Sequence, residues 1–274
     1  MKAFWFAALA GLSLHACTLL AVRPDLPLPT ELSTRTAQVG LRLVSQLAHS
    51  AAICHWSVSA DGRRAATIDC PTQTPLAQGS LRVWDLIDGA VLTAVDWNDG
   101  LEHDNARIGV GQLRLSANGG QLLVVGASVQ LFDTATGALL SRLLPHRPLP
   151  LLADDMFTAA AFCGAAIAVG TDRGQLWLWQ PQSAELPLQL APHQRAIAAV
   201  VCDGGGQTAF SVDREGVVQQ QPTKASANAS AEPTRNAGAG LATAAALSPD
   251  GTLVATLAAD SGRLGACRSI PTRS

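Results

Sequence analysis

The chain has 274 residues, 48% hydrophobic and 15% charged, with a formal net charge of −2 and a pI near 6.3. That composition excludes an intrinsically disordered chain, and the absence of a basic excess argues against nucleic acid as a partner. Twenty-four Gly and 15 Pro against no Tyr indicate many turns and a core built from Ala, Leu and Val.

The N-terminus carries the first signal. Lys2 precedes an apolar run from Ala3 to Leu14, the layout of a secretory signal peptide. Leu14-His15-Ala16-Cys17 resembles a bacterial lipobox, with His in place of the usual small residue at −2. The resemblance implies that Cys17 is lipidated and becomes the first residue of a mature lipoprotein. Two other readings stand beside it: an uncleaved membrane anchor over residues 3–22, just long enough to cross about 30 Å of hydrocarbon, and an ordinary cleaved signal. All three export the body of the protein and two tie it to the membrane. Residues 1–22 are thus read as the export segment. Arg23–Thr36, Pro-rich and polar, is read as a tether.

Residues 37–274 form the folded body. Val39–Val44 alternates in polarity like an outer strand. From Ser57 onward the chain repeats itself. Five units cover 57–95, 113–143, 158–190, 196–222 and 242–269, aligned on turns at Gly62, Gly119, Gly164, Gly206 and Gly251. In each, a short apolar run ends in a tight turn, then a second and a third run follow with turn residues between them. Four short strands in sequence order make an antiparallel meander, and its repetition indicates the blades of a β-propeller. The fold class is therefore all-β, with about five four-stranded blades. Val39–Val44 is expected to complete the last one and close the ring. Thr223–Gly240, of low complexity, is expected to be a loop between the fourth and fifth units.

Particular residues carry a family resemblance. Gly79–Gly89 (GSLRVWDLIDG), Val129–Gly137 (VQLFDTATG), Gly170–Trp179 (GTDRGQLWLW) and Leu247–Gly251 (LSPDG) resemble the WD40 repeat. Trp84-Asp85 matches its closing dipeptide. Phe132-Asp133 is a conservative version, Trp179-Gln180 keeps the aromatic alone, and Gln221-Pro222 keeps neither. Asp172 occupies the turn before a third strand. His146 and His193 stand where the family places its His, with Pro145 and Pro192 in place of the preceding Gly. The resemblance implies a non-catalytic platform for protein partners. It also implies that Trp84 donates its indole N–H into a set of His, Ser/Thr and Asp, with Ser57, Ser59 and Thr67 as candidate acceptors and His55 as the histidine.

No nucleophile elbow, phosphate-binding loop or zinc motif is present, so no cofactor and no metal site is assigned. The polar stretch Asp96–Asn105 holds four acids and a His. It supports an alternative, a metal-dependent propeller hydrolase of lactonase or esterase type, although a solvated loop between blades explains it as well. A degenerate propeller without activity is a further alternative. Asp154-Asp155 is a second acidic pair, read as solvated. Trp177 and Trp179 are read as lying on opposite faces of one strand, one as blade core and the other as partly buried against the next blade, with a surface anchor as the alternative. Most of the six Cys are read as small buried hydrophobes. Cys54–Cys70 is the nearest pair for one disulfide in an oxidising compartment.

Overall fold

The computed structural model describes residues 49, 52–69, 79–97, 111–145, 155–223, 241–248 and 253–258, with strand residues 18–19, 235–236 and 264–268. Among them there is no helix. Twenty strands form five four-stranded sheets. The first contains β2 (Ile53–Val58), β3 (Arg64–Asp69), β4 (Gly79–Asp85) and β5 (Val91–Trp97). The second contains β6 (Gln112–Leu115), β7 (Gln121–Val125), β8 (Val129–Asp133) and β9 (Leu139–Leu143). The third is β10 (Phe157–Cys163), β11 (Ala166–Thr171), β12 (Leu176–Trp179) and β13 (Leu188–Gln189). The fourth is β14 (Ile197–Cys202), β15 (Thr208–Asp213), β16 (Val217–Pro222) and β17 (Arg235–Asn236). The fifth orders β18 (Ala242–Leu247), β19 (Leu253–Ala258) and β20 (Leu264–Arg268) beside β1 (Thr18–Leu19). Every pairing is antiparallel between neighbours, the meander that the repeat demands.

The turns explain the repeat. In the first blade the Gly62 amide donates to the Ser59 carbonyl at 2.9 Å, and Ser59 Oγ accepts the Arg64 amide at 2.9 Å. Gly62 sits at φ 67°, where a side chain is strained. Ser116 repeats the device for Gln121, Asp203 for Gln207 and Ser248 for Leu253. The short polar side chain closes the hairpin because it reaches its own backbone a few residues on.

Two expectations change. The strand that completes the fifth blade is Thr18–Leu19, with Thr18 opposite Ala266 and Leu19 opposite Gly265. Val39–Val44 lies outside the described residues. The segment expected to be a loop contains β17, which pairs Val217 with Asn236 and Val218 with Arg235. Ala/Ser/Asn-rich composition hides a two-residue edge strand, because its register is set by the partner strand and not by alternation.

The core lies between blades. Leu113, Leu122, Val124 and Phe132 of the second blade pack on Ala66, Ile68, Leu81 and Val83 of the first. Leu123, Val129 and Leu131 from the second blade's other face meet Phe157, Val169 and Trp177. Ala161, Ala168 and Leu178 meet Ile197 and Val200. Phe210 and Val212 meet Ala242 and Val254. Both Trp177 and Trp179 are buried in a single cluster. Two residues apart on a strand they share a face, so neither is a surface anchor.

Among the described residues, Cys54, Cys163 and Cys202 are paired rather than free. Cys163 and Cys202 form a disulfide across 5.3 Å between Cα atoms, joining the innermost strands of the third and fourth blades. Cys54 is also disulfide-bonded, and Cys70 lies outside the described residues. The disulfide is accompanied by a close backbone approach: a Cβ on Gly206 would stand 2.3 Å from the Gly164 amide nitrogen.

Candidate functional site

Two polar clusters hold the blades, and both have the composition of a catalytic site. In the first blade Trp84 Nε1–H donates to Thr67 Oγ1 at 2.7 Å. His49 Nε2 is 2.7 Å from the same hydroxyl, and His49 Nδ1 is 3.4 Å from Asp69 Oδ2. With Nδ1–H facing the carboxylate, Nε2 is left to accept the Thr67 proton, while Thr67 Oγ1 accepts from Trp84. The Thr67 hydroxyl thereby serves both rings, while His49 Nδ1, though 3.4 Å from Asp69 Oδ2, makes no hydrogen bond. Thr67 was among the expected acceptors. The histidine is His49, not His55.

The fourth blade repeats the set. His193 Nε2 is 2.8 Å from Ser211 Oγ, and Nδ1 is 3.3 Å from Asp213 Oδ2. Asp213 Oδ1 also accepts the Glu215 and Val217 amides at 3.0 and 2.9 Å. Gln221 occupies the position that Trp84 holds in the first blade, since Gln221 pairs with Ala209 as Trp84 pairs with Ala65. Its amide clasps the residue two before His193: Oε1 accepts the Ala191 amide at 2.6 Å and Nε2 donates to the Ala191 carbonyl at 2.9 Å. The Gln221 amide thus holds the backbone ahead of His193, where the Trp84 indole holds the Thr67 hydroxyl.

Ser211, His193 and Asp213 have the connectivity of a nucleophile, its base and an orienting carboxylate. Ser211 is 0% exposed, so no substrate atom reaches its hydroxyl in this arrangement. Burial pushes His193 below the ordinary histidine range, and the Asp213 charge works in the opposite direction. The cluster is a packing device.

The remaining residues singled out in the sequence have structural partners. Asp85 Oδ1 accepts the Ile87 and Asp88 amides at 2.8 and 3.2 Å. Asp133 closes the same turn in the second blade through the Ala135 and Thr136 amides, and the Thr136 hydroxyl holds its carboxyl below the usual carboxylate range. Phe132 and Trp179 are buried between blades. Asp172 Oδ1 accepts the Met156 amide at 3.1 Å. Asp155, expected to be solvated, is buried and ion-paired with Arg173. Cys17, His146, Asp154 and residues 98–105 of the acidic stretch lie outside the described residues. Among the described residues no three His, Cys, Asp or Glu side chains converge on one point, and no helix is long and apolar enough to cross a membrane.

His49, Asp69, Ser211 and Asp213 were missed from sequence, although a signal was there. In both blades the hydroxyl follows the His by 18 residues, and the Asp follows the hydroxyl by two. Thr67-Ile68-Asp69 and Ser211-Val212-Asp213 are the matching tripeptides.

A different feature faces solvent. In a meander the turns between first and second strands and between third and fourth strands open at the same end of the blade. At that end, around the third-to-fourth turns of three consecutive blades, Leu86, Ile87, Leu139, Leu140, Leu186 and Leu188 are all exposed, Ile87 by 68% and Leu186 by 73%. Apolar residues thus recur, exposed, at one rim position of three consecutive blades.

No protein-family model and no curated protein matches the chain. Among solved structures it is similar to a chain of "Crystal Structure of Mitotic Checkpoint Complex", at 16% identity with a TM-score of 0.58. The alignment covers 78% of this chain and 65% of that one, so this chain spans about two thirds of its neighbour's length. At that identity the likeness defines the fold alone. The protein has a β-propeller fold, with five four-stranded antiparallel blades among the described residues.

Proposed function

We propose that the protein is a non-catalytic propeller that binds another protein at the cell envelope. It is exported and held at the membrane by lipid on Cys17. The observation that carries the binding reading is the apolar rim formed by Leu86, Ile87, Leu139, Leu140, Leu186 and Leu188 on three successive blades. A rigid array of packed blades displays such a rim at little ordering cost, which favours affinity. The solved structure that it resembles is that of a complex. The residues best suited to acid–base or nucleophilic chemistry, His49, His193, Ser211 and Asp213, are occupied in blade packing.

Export is supported by the Cys163–Cys202 disulfide, a bond typical of oxidising compartments. Lipidation is favoured over an uncleaved anchor by β1. Thr18 and Leu19 pair with β20, and residues in a sheet are not available to span a bilayer. A lipid on Cys17 would sit immediately before that strand and leave it in place.

The experiment is affinity capture of the tagged full chain from cross-linked envelope fractions, beside an Ile87→Asp/Leu186→Asp variant. A protein captured by the native chain and lost with the variant is the expected result. The same protein preparation is assayed for metal-dependent ester and lactone hydrolysis. Hydrolysis abolished by a chelator and unaffected by the rim substitutions would overturn the reading.

A further inference from the structure

The first and fifth blades each leave one face unmatched. Register identifies the face on the first blade. Ile53 stands opposite Asp69, Trp56 opposite Thr67 and Val58 opposite Ala65, with an irregularity after Ile53. The same register in the third blade places Phe157 opposite Thr171, Ala160 opposite Val169 and Phe162 opposite Ile167, with the irregularity after Phe157. In the third blade this face is sealed against the preceding blade, with Phe157 and Ala160 at 2% and 0% exposure. In the first blade Ile53, Trp56 and Val58 are 51%, 71% and 44% exposed. The opposite face of β2 is the one joined to the second blade, where Ser57 Oγ accepts the Leu115 amide at 3.0 Å. On the open face Arg82 lies beside Thr67, and its Nη1 is sealed from solvent without an acceptor.

The fifth blade mirrors this. Ala242, Ala245, Leu247 and Val254 pack on the fourth blade. The alternate residues of β18 and β19 face away, and Leu253 and Leu257 are 38% and 40% exposed.

We propose that these two faces join copies of this chain head to tail, the fifth blade of one seating on the first blade of another. At each of the four internal junctions the trailing face of one blade mates with the leading face of the next. The fifth blade presents a trailing face and the first blade a leading face, and among the described residues of one chain neither covers the other. A second copy brings both. The contact is heterologous, so one intact face on each of two copies is enough to join them.

Sedimentation velocity of the full chain in non-ionic detergent tests it. The native protein is expected to show concentration-dependent species above the monomer. Trp56→Asp and Leu257→Asp are each expected to be monomeric at ten times the concentration at which the native chain is half associated. An equimolar mixture of the two is expected to regain a dimer, because each retains the face that the other lacks. Trp56→Ser and Leu257→Ser serve in the same mixture if circular dichroism shows either Asp variant misfolded. A native chain that is monomeric throughout, as intramolecular closure or an unrelated partner requires, overturns the proposal. So does a mixture that stays monomeric. Association lost with the Trp56 variant and kept with the Leu257 variant means a symmetric contact and overturns it too.

Discussion

Trp84 and Thr67 show how much one hydroxyl can hold. Thr67 Oγ1 serves both Trp84 Nε1 and His49 Nε2 at 2.7 Å, so Thr67→Val leaves an indole N–H and an imidazole nitrogen unpartnered. Stranding buried polar groups costs roughly 1–3 kcal/mol. Trp84→Ala removes the ring as well. Since Trp84 is half-buried, its cost is expected at about 3 kcal/mol, the low end for a large core aromatic. Against a total of about 5–15 kcal/mol, either change is easily seen in a urea denaturation midpoint. Exposed Gln182→Ala is expected to stay within about 0.5 kcal/mol. Equal midpoints for Trp84→Ala and Gln182→Ala would mean that the blade alignment is misplaced. His193 adds a pH dependence. Burial makes the folded chain protonate this ring only below its ordinary range, whereas the unfolded chain takes up the proton near pH 6.5. Between those two points the unfolded state binds more protons, so stability falls as pH falls. The stabilising contribution is complete above about pH 6.5 and is lost on acidification through the folded value. The slope of stability between pH 7 and 5.5 is expected to flatten in His193→Gln, and an unchanged slope would remove His193 as its source.

At the scale of the elements, the repeat was legible because turn chemistry is local. Ser59, Ser116, Asp203 and Ser248 announce their hairpins through side chains that bond within five residues. Strands β2 to β16 could therefore be placed by reading turns and alternation. Strands β1 and β17 could not. Each has two residues, too few to display a period, and each is fixed by pairing with a distant or loop-separated strand. The polar clusters were half legible for the same reason. His193 announced itself near a strand start, while His49, Ser211 and Asp213 are defined only by partners about 20 residues away. The Cys163–Cys202 bond belongs to this class also, since 39 residues separate its ends. Removing it with Cys163→Ala/Cys202→Ala is expected to cost about 2–4 kcal/mol. In reductant the native chain is expected to lose more than the double variant by a similar amount, the bond at Cys54 being common to both. A native midpoint indifferent to reductant would show that the bond does not form in the protein.

For the whole molecule, the proposed function joins the five blades and the apolar rim to the export signal expected from sequence: a rigid body displayed at a membrane to hold a partner. The tether is tested by fractionating cells that express the native chain or Cys17→Ser. Lipidation predicts that the native chain follows the membrane and is processed, while the variant keeps a different mass. Identical mass and distribution would return the uncleaved anchor. The binding claim is tested most directly by placing a photo-reactive residue at Ile87 or Leu186 on the rim, and at Arg214 on a turn of the opposite end, in the full chain in cells. After illumination the account predicts a discrete adduct at both rim positions, of a mass other than twice the chain, and none at Arg214. Adducts of equal yield at Arg214, or no adduct at either rim position, would contradict it.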